Sequence, residues 1–132
     1  MAQVFTDNFE SGGLTNWTST LIEAGNTLQA ATAAVKNGTY GLQCIAGTTN
    51  DDARANKTIT GKSELWAVFW FKIVTSPGTS NHNLLFRFGT SASVTRAGFA
   101  IRTQSGFTNR LHTLDGTGFT VSSPAFDFAA NT

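Results

Sequence analysis

Residues 64–74 constrain the fold of this chain more than any other segment. One set of alternate positions holds Leu65, Ala67, Phe69, Phe71 and Ile73, all apolar. The other set holds Trp66, Val68, Trp70, Lys72 and Val74. A pleated strand turns successive side chains to opposite faces, whereas a helical turn would mix the two sets. The segment therefore predicts a strand with one face in a core. The pattern recurs in residues 84–88, with Leu84, Phe86 and Phe88 inward and Leu85 and Arg87 on the far side. It recurs again in residues 98–103, with Phe99 and Ile101 on one face and Arg102 on the other. Residues 4–9 read as a short first strand and residues 42–46 as another, while residues 53–59 alternate weakly. No long window has the 3.6-residue period of a helix. The best helical stretch is the alanine-rich run 27–35, limited by Thr32, Asn37 and Gly38. Short strands separated by Gly, Asn, Ser and Thr turns predict an all-β, antiparallel sandwich or barrel. Its expected core is Phe5, Phe9, Leu42, Leu65, Phe69, Phe71, Leu84, Phe86, Phe88, Phe99 and Ile101.

Composition narrows the function classes. The chain has 132 residues, about one domain's worth. No linker, repeat or low-complexity block divides it, so residues 1–132 read as a single domain. Charged residues make up only 13%, about half the usual share, and 31 Ser and Thr fill the gap. The net charge of +1 gives no field for a polyanion, which argues against nucleic acid as the main partner. Eleven Phe and three Trp argue against disorder. No apolar run approaches the ~20 residues of a membrane-spanning helix, so no membrane insertion is expected. Cys44 is the single cysteine, which excludes an intrachain disulfide and a thiolate zinc cluster. Its strand-like setting predicts a small buried hydrophobe. Met1-Ala2-Gln3 has no basic n-region and leads into no apolar h-region, so no signal peptide is expected.

Three stretches together resemble the concanavalin A-like lectin/glucanase jelly roll, in the broad laminin-G and polysaccharide-lyase-like group. Phe5-Thr6-Asp7-Asn8-Phe9-Glu10-Ser11-Gly12-Gly13-Leu14-Thr15-Asn16-Trp17 is similar to the D-F-E-x-G-x-L-x-x-W opening of such domains. Asn37-Gly38-Thr39-Tyr40-Gly41-Leu42 is similar to the strand start that follows it there. Leu65-Trp66-Ala67-Val68-Phe69-Trp70-Phe71-Lys72-Ile73 is similar to the family's central strand. Order and spacing agree over roughly residues 4–119. The resemblance implies a jelly-roll β-sandwich and carbohydrate recognition. Such jelly rolls usually run longer, and a later strand is expected after Thr132. The chain thus reads as a shortened relative, a truncated one, or a domain completed by another chain, whose unpaired edge strands would then demand a partner.

The chemistry expected of that group is only partly represented. Retaining glucanases need paired carboxylates about 5 Å apart. The glutamates here are Glu10, Glu23 and Glu64, with no run that sets two on alternate positions of one strand. Lyase chemistry, which the resemblance also implies, would draw on Tyr40, His82, Arg87, Arg102, Gln104 and His112, without the lyases' own strand motifs. No nucleophile elbow or phosphate-cradling glycine loop occurs. The chain therefore reads as a non-enzyme, with a polysaccharide lyase or hydrolase as the weaker alternative. No cofactor is expected; calcium through the adjacent Asp51 and Asp52 is a weak option against a solvated loop.

What remains is the second face of residues 64–74. Trp66 and Trp70 lie four residues apart, about 13 Å at strand rise, beside Lys72. Arg87 and Arg102, if they face the same way on neighbouring strands, would flank the indoles. Sugar C–H faces stack on indoles while Arg, Asn and Thr donors fix hydroxyl or carboxylate groups. The expected ligand-binding residues are thus Trp66, Trp70, Lys72, Arg87 and Arg102, and the expected partner is a glycan or polysaccharide. Packing of either tryptophan under loops is the competing reading. The expected role is a non-catalytic, lectin-like surface domain. A structural display protein, such as a phage capsid decoration, fibre or filament subunit, is the alternative. Self-association or assembly with another chain is expected in either case, and a virion surface or extracellular display would suit both.

Overall fold

In the computed structural model the described residues are 3–47, 52–75, 77–78, 82–91, 94–104, 107–114 and 119–121. They form eight strands and one short 3-10 helix, and every strand pair is antiparallel. The chain divides into two compact units, Met1–Trp70 and Phe71–Thr132.

The first unit holds two small ladders. Strand β1 (Ser19–Ile22) pairs with β4 (Ala53–Asn56), and β2 (Thr27–Ala31) pairs with β3 (Gly41–Ile45). The alanine-rich run expected to be helical is instead β2 followed by the one-turn helix η1 (Thr32–Ala34). Alanine's helix propensity is a few tenths of a kcal/mol per residue, less than a five-residue ladder supplies. Gln29 and Gln43, directly opposite in the β2–β3 register, join through a side-chain hydrogen bond of 2.9 Å. Asn26 ties the loops together. Its Nδ2 donates to the Asp52 carbonyl at 3.3 Å, and its Oδ1 accepts from the Gly47 amide at 2.6 Å.

The N-terminal residues 4–9 form no strand. They wrap Trp17 instead: the Phe5 ring meets the indole edge-on at 5.1 Å, and the Phe9 ring stacks on it at 6.3 Å. Asp7 holds this cluster, accepting from Trp17 Nε1 at 2.7 Å and from the Phe9 amide at 2.9 Å. Phe9 takes a left-handed backbone, φ 63°, rare for a residue with a bulky side chain.

The second unit is one four-stranded sheet in the order β5-β6-β7-β8, with β5 His82–Ser91, β6 Val94–Gln104, β7 Phe107–Leu114 and β8 Phe119–Val121. A bulge between Leu84 and Phe86 resets the face of β5. Leu84 lies opposite Ala100, while Phe86 lies opposite Phe99 and Arg87 opposite Gly98. Leu84 is therefore on the Arg87 face, contrary to the expectation that it turns inward with Phe86 and Phe88. An inserted residue offsets the period of two. Phe86 and Phe88 do share a face, their rings meeting edge-on at 4.8 Å.

Among the described residues the buried apolar side chains are Leu28, Pro77, Ala100 and Ile101. Ile101 is the member of the expected core that is fully buried. Phe69, Phe71, Leu84 and Phe99 are exposed, and Phe5, Phe9, Leu42, Leu65, Phe86 and Phe88 are half-buried. Cys44, expected to be buried, is exposed; partial desolvation and then the charge of Asp52 push its thiol pKa up, away from the reactive thiolate.

Candidate functional site

Residues 64–74 belong to no strand, which corrects the strongest expectation drawn from the sequence. The alternation itself survives in the side chains. Trp66, Val68 and Trp70 are 73%, 91% and 76% exposed, against 38% for Phe69 and 42% for Phe71. Leu65 and Ile73 are half-buried. The two sides of the segment thus differ in the sense its period predicts. The phenylalanines, however, are not enclosed, because the segment lacks the ladder neighbours that would hold it in a layer.

Both indoles present open rings. Trp66 Nε1 donates to Glu64 Oε1 at 3.0 Å, which fixes the ring edge while leaving its faces accessible. Lys36 Nζ stands 4.6 Å from the Trp70 ring centroid, a cation–π contact that orients the indole and adds a donor beside it. No sequence motif marks Lys36. Its role depends on a contact across more than thirty positions that no local pattern encodes.

Lys72, Arg87 and Arg102 belong to the second unit. Lys72 is exposed. Arg87 Nη1 donates to Thr95 Oγ1 at 3.4 Å. In the ladder register Arg87 lies opposite Gly98 and Arg102 opposite His82 and Arg110, so Arg87 and Arg102 occupy one face of the sheet. Gly98 and Arg102 are four residues apart on β6, about 13 Å at strand rise. The structure brings the two arginines to one face and gives each indole its own polar neighbour.

Of the residues expected for lyase chemistry, Arg87, Arg102 and His112 occupy one face of the second unit's sheet. Tyr40 is half-buried in the first unit. His112 is 2% exposed, opposite Ala100 on the arginine face. The side chains of His82 and Gln104 lie outside the described residues, as does Asp51. Asp52 forms an ion pair with Arg54 through one carboxylate oxygen. No group of three His, Cys, Asp or Glu suited to a metal occurs among the described residues.

The other two motifs prove to be structural, and they meet. The Glu10 carboxylate accepts from the Thr39 amide at 2.9 Å and the Tyr40 amide at 3.0 Å, joining the opening motif to the Gly38-Thr39-Tyr40 turn. These amide donors, Tyr40's first, hold its pKa below the ordinary carboxylate value, so it stays ionised and serves as a clasp. Gly38 takes φ 88°, a backbone that side chains rarely adopt, and a Cβ there would displace the Glu10 carboxylate. No known protein family, curated protein or solved structure matches the chain.

Proposed function

We propose that this chain is a non-catalytic, lectin-like carbohydrate-binding domain, with Trp66 and Trp70 as the stacking platform. The observation that carries the reading is the exposure of two indoles, four residues apart, each with a polar group at hand. Exposed tryptophans cost solvation free energy, roughly 25 cal/mol per Å² of apolar surface left in water. A ring face that stays open fits a ligand whose own flat apolar face will cover it, and a pyranose C–H face is such a ligand. Lys36 adds a hydrogen-bond donor beside Trp70 within the first unit, and Lys72, Arg87 and Arg102 are donors of the second. The finer architecture we propose is a jelly-roll sandwich of concanavalin A-like type, supported by the antiparallel strands and by the ordered motifs. Affinity electrophoresis against neutral and acidic polysaccharides tests the function. Retardation that disappears in the Trp66→Ala, Trp70→Ala double variant supports it, and undiminished binding in that variant removes the platform.

A second reading is a display or assembly subunit, favoured by Val68 at 91% exposure within an apolar segment that joins no ladder among the described residues. Strand-like apolar segments with open backbone groups are templates for pairing with another chain. Light scattering after size exclusion tests it: a discrete oligomer lost on Val68→Lys favours assembly, and a strictly monomeric species counts against it.

A further inference from the structure

Asn37-Gly38 is the single Asn-Gly pair of the chain, which holds ten asparagines. It opens the turn that the Glu10 carboxylate clasps through the Thr39 and Tyr40 amides. The clasp leaves the two groups before it untouched. Among the described residues the Asn37 side-chain amide makes no hydrogen bond and the Gly38 amide donates none. Both residues are exposed. Other asparagine side chains are engaged. Asn8 Oδ1 accepts from the Glu10 amide at 3.2 Å, Asn16 Nδ2 donates to Asp7 Oδ1 at 3.4 Å, and Asn56 Nδ2 donates to Ser19 Oγ at 3.4 Å. Asn26 is bonded at both ends of its amide. Asn83 is held in the β5–β6 ladder opposite Ile101 and precedes the bulky Leu84.

We infer that Asn37 is a site of spontaneous deamidation through a cyclic imide, and that the charge it leaves loosens the Glu10 clasp. The Gly38 nitrogen attacks Asn37 Cγ. A bond forms between them as the Cγ–Nδ2 bond breaks, and Nδ2 leaves as ammonia with the proton given up by the Gly38 nitrogen. Solvent water then opens the five-membered ring. Cleavage at Cγ leaves an aspartate, whereas cleavage at the backbone carbonyl of residue 37 leaves an isoaspartyl linkage that runs through the side chain. One water is consumed, one ammonia is released, and nothing is oxidised or reduced. The turn favours ring closure because Gly38 has no Cβ to crowd its nitrogen and its backbone turns freely. Neither reacting group has a hydrogen bond to give up.

Either product places a carboxylate next to Gly38, where the Glu10 carboxylate already lies: a Cβ on Gly38 would stand within 3.1 Å of both its oxygens. Two like charges this close repel, as when any modification adds a charge beside an existing one. Lys36, the one cation of residues 36–39, lies over the Trp70 ring.

The test incubates the full chain in mildly alkaline buffer, folded and in urea. Peptide mass spectrometry locates each conversion, and enzymatic methylation of isoaspartyl carboxylates identifies the imide route. In the folded chain Asn37 is expected to convert before any other asparagine, within about tenfold of its rate in urea, because an unheld turn opens at little cost. A slower folded rate, another asparagine converting first, or conversion without isoaspartate overturns the site. The coupling is read from Asn37→Asp, which supplies the charge alone. It is expected to lower Tm by about 1–4 °C in the wild-type background and to leave Tm unchanged when combined with Glu10→Gln. An equal drop in both backgrounds, or no drop in the wild type, overturns the effect on the clasp.

Discussion

Gly98 sits where the architecture of the arginine face is most exposed to a single atom. It lies on β6 directly opposite Arg87, next to the bulge that turns Arg87 onto this face. A Cβ at Gly98 would lie 2.5 Å from the Phe86 carbonyl oxygen and 3.0 Å from Arg87 Cβ. Real side chains essentially never approach a carbonyl that closely, and this carbonyl is backbone, so β5 itself must move. Gly98→Ala is thus an overpacking substitution in a paired strand, expected to cost about 1–3 kcal/mol. With an unfolding entropy of about 2.1 cal/mol/K per residue, 2 kcal/mol lowers Tm by about 7 °C if all 132 residues unfold in one step. The matched control is Gly13→Ala, where nothing stands within 4 Å of the added methyl. That change is expected to be neutral or slightly stabilising, because alanine restricts the unfolded chain. Urea unfolding of the three proteins, followed by far-UV circular dichroism, gives the comparison. Amide exchange at Phe86 and Arg87 should rise in Gly98→Ala. A Gly98→Ala protein within about 0.5 kcal/mol of wild type, with unchanged exchange on β5, would refute the close approach and the bulge-dependent placement of Arg87.

Further expectations concern the clasp, the aromatic cluster and the indoles. Glu10 has a lowered pKa in the folded chain, so its contribution is present above the unfolded carboxylate value near 4.5 and is lost as pH falls through the folded value. Wild type should therefore melt above Glu10→Gln at pH 7, and the gap should close below about pH 4.5; a gap independent of pH would contradict the clasp. Asp7→Ala removes the acceptor of the Trp17 indole and of the Phe9 amide and is expected to destabilise by about 1–3 kcal/mol in urea unfolding. Acrylamide should quench most of the tryptophan fluorescence, since Trp66 and Trp70 are open while Trp17 lies between Phe5 and Phe9. Quenching of less than about half the signal would mean the indoles are covered.

Sequence periodicity revealed which side a residue takes, and it stopped short of which strand lies alongside. In residues 64–74 the alternation correctly separates open Trp66, Val68 and Trp70 from the less exposed Phe69 and Phe71, yet no ladder forms there. Backbone pairing depends on a distant partner, which a local period cannot supply. Strands β3, β5 and β6 follow apolar alternation and were legible within a few residues. Strand β1 is Ser-Thr-Leu-Ile and β7 mixes Arg110 and His112 with Leu111, so neither carries a clean apolar face. The bulge at Leu85 leaves no compositional mark, and it alone moves Leu84 to the arginine side. Facing anticipated the exposure of Trp66 and Trp70 and the shared sheet face of Arg87 and Arg102. Lys36 enters only through a tertiary contact.

Incorporating 5-fluorotryptophan gives three fluorine resonances, assigned by Trp66→Phe and Trp70→Phe, that report each indole separately during titration with a soluble polysaccharide. Stacking of sugar rings on the open faces predicts saturable shifts of the Trp66 and Trp70 resonances with the Trp17 resonance unmoved. Retention of a polysaccharide by the protein with no change at Trp66 or Trp70, or with change confined to Trp17, would contradict it.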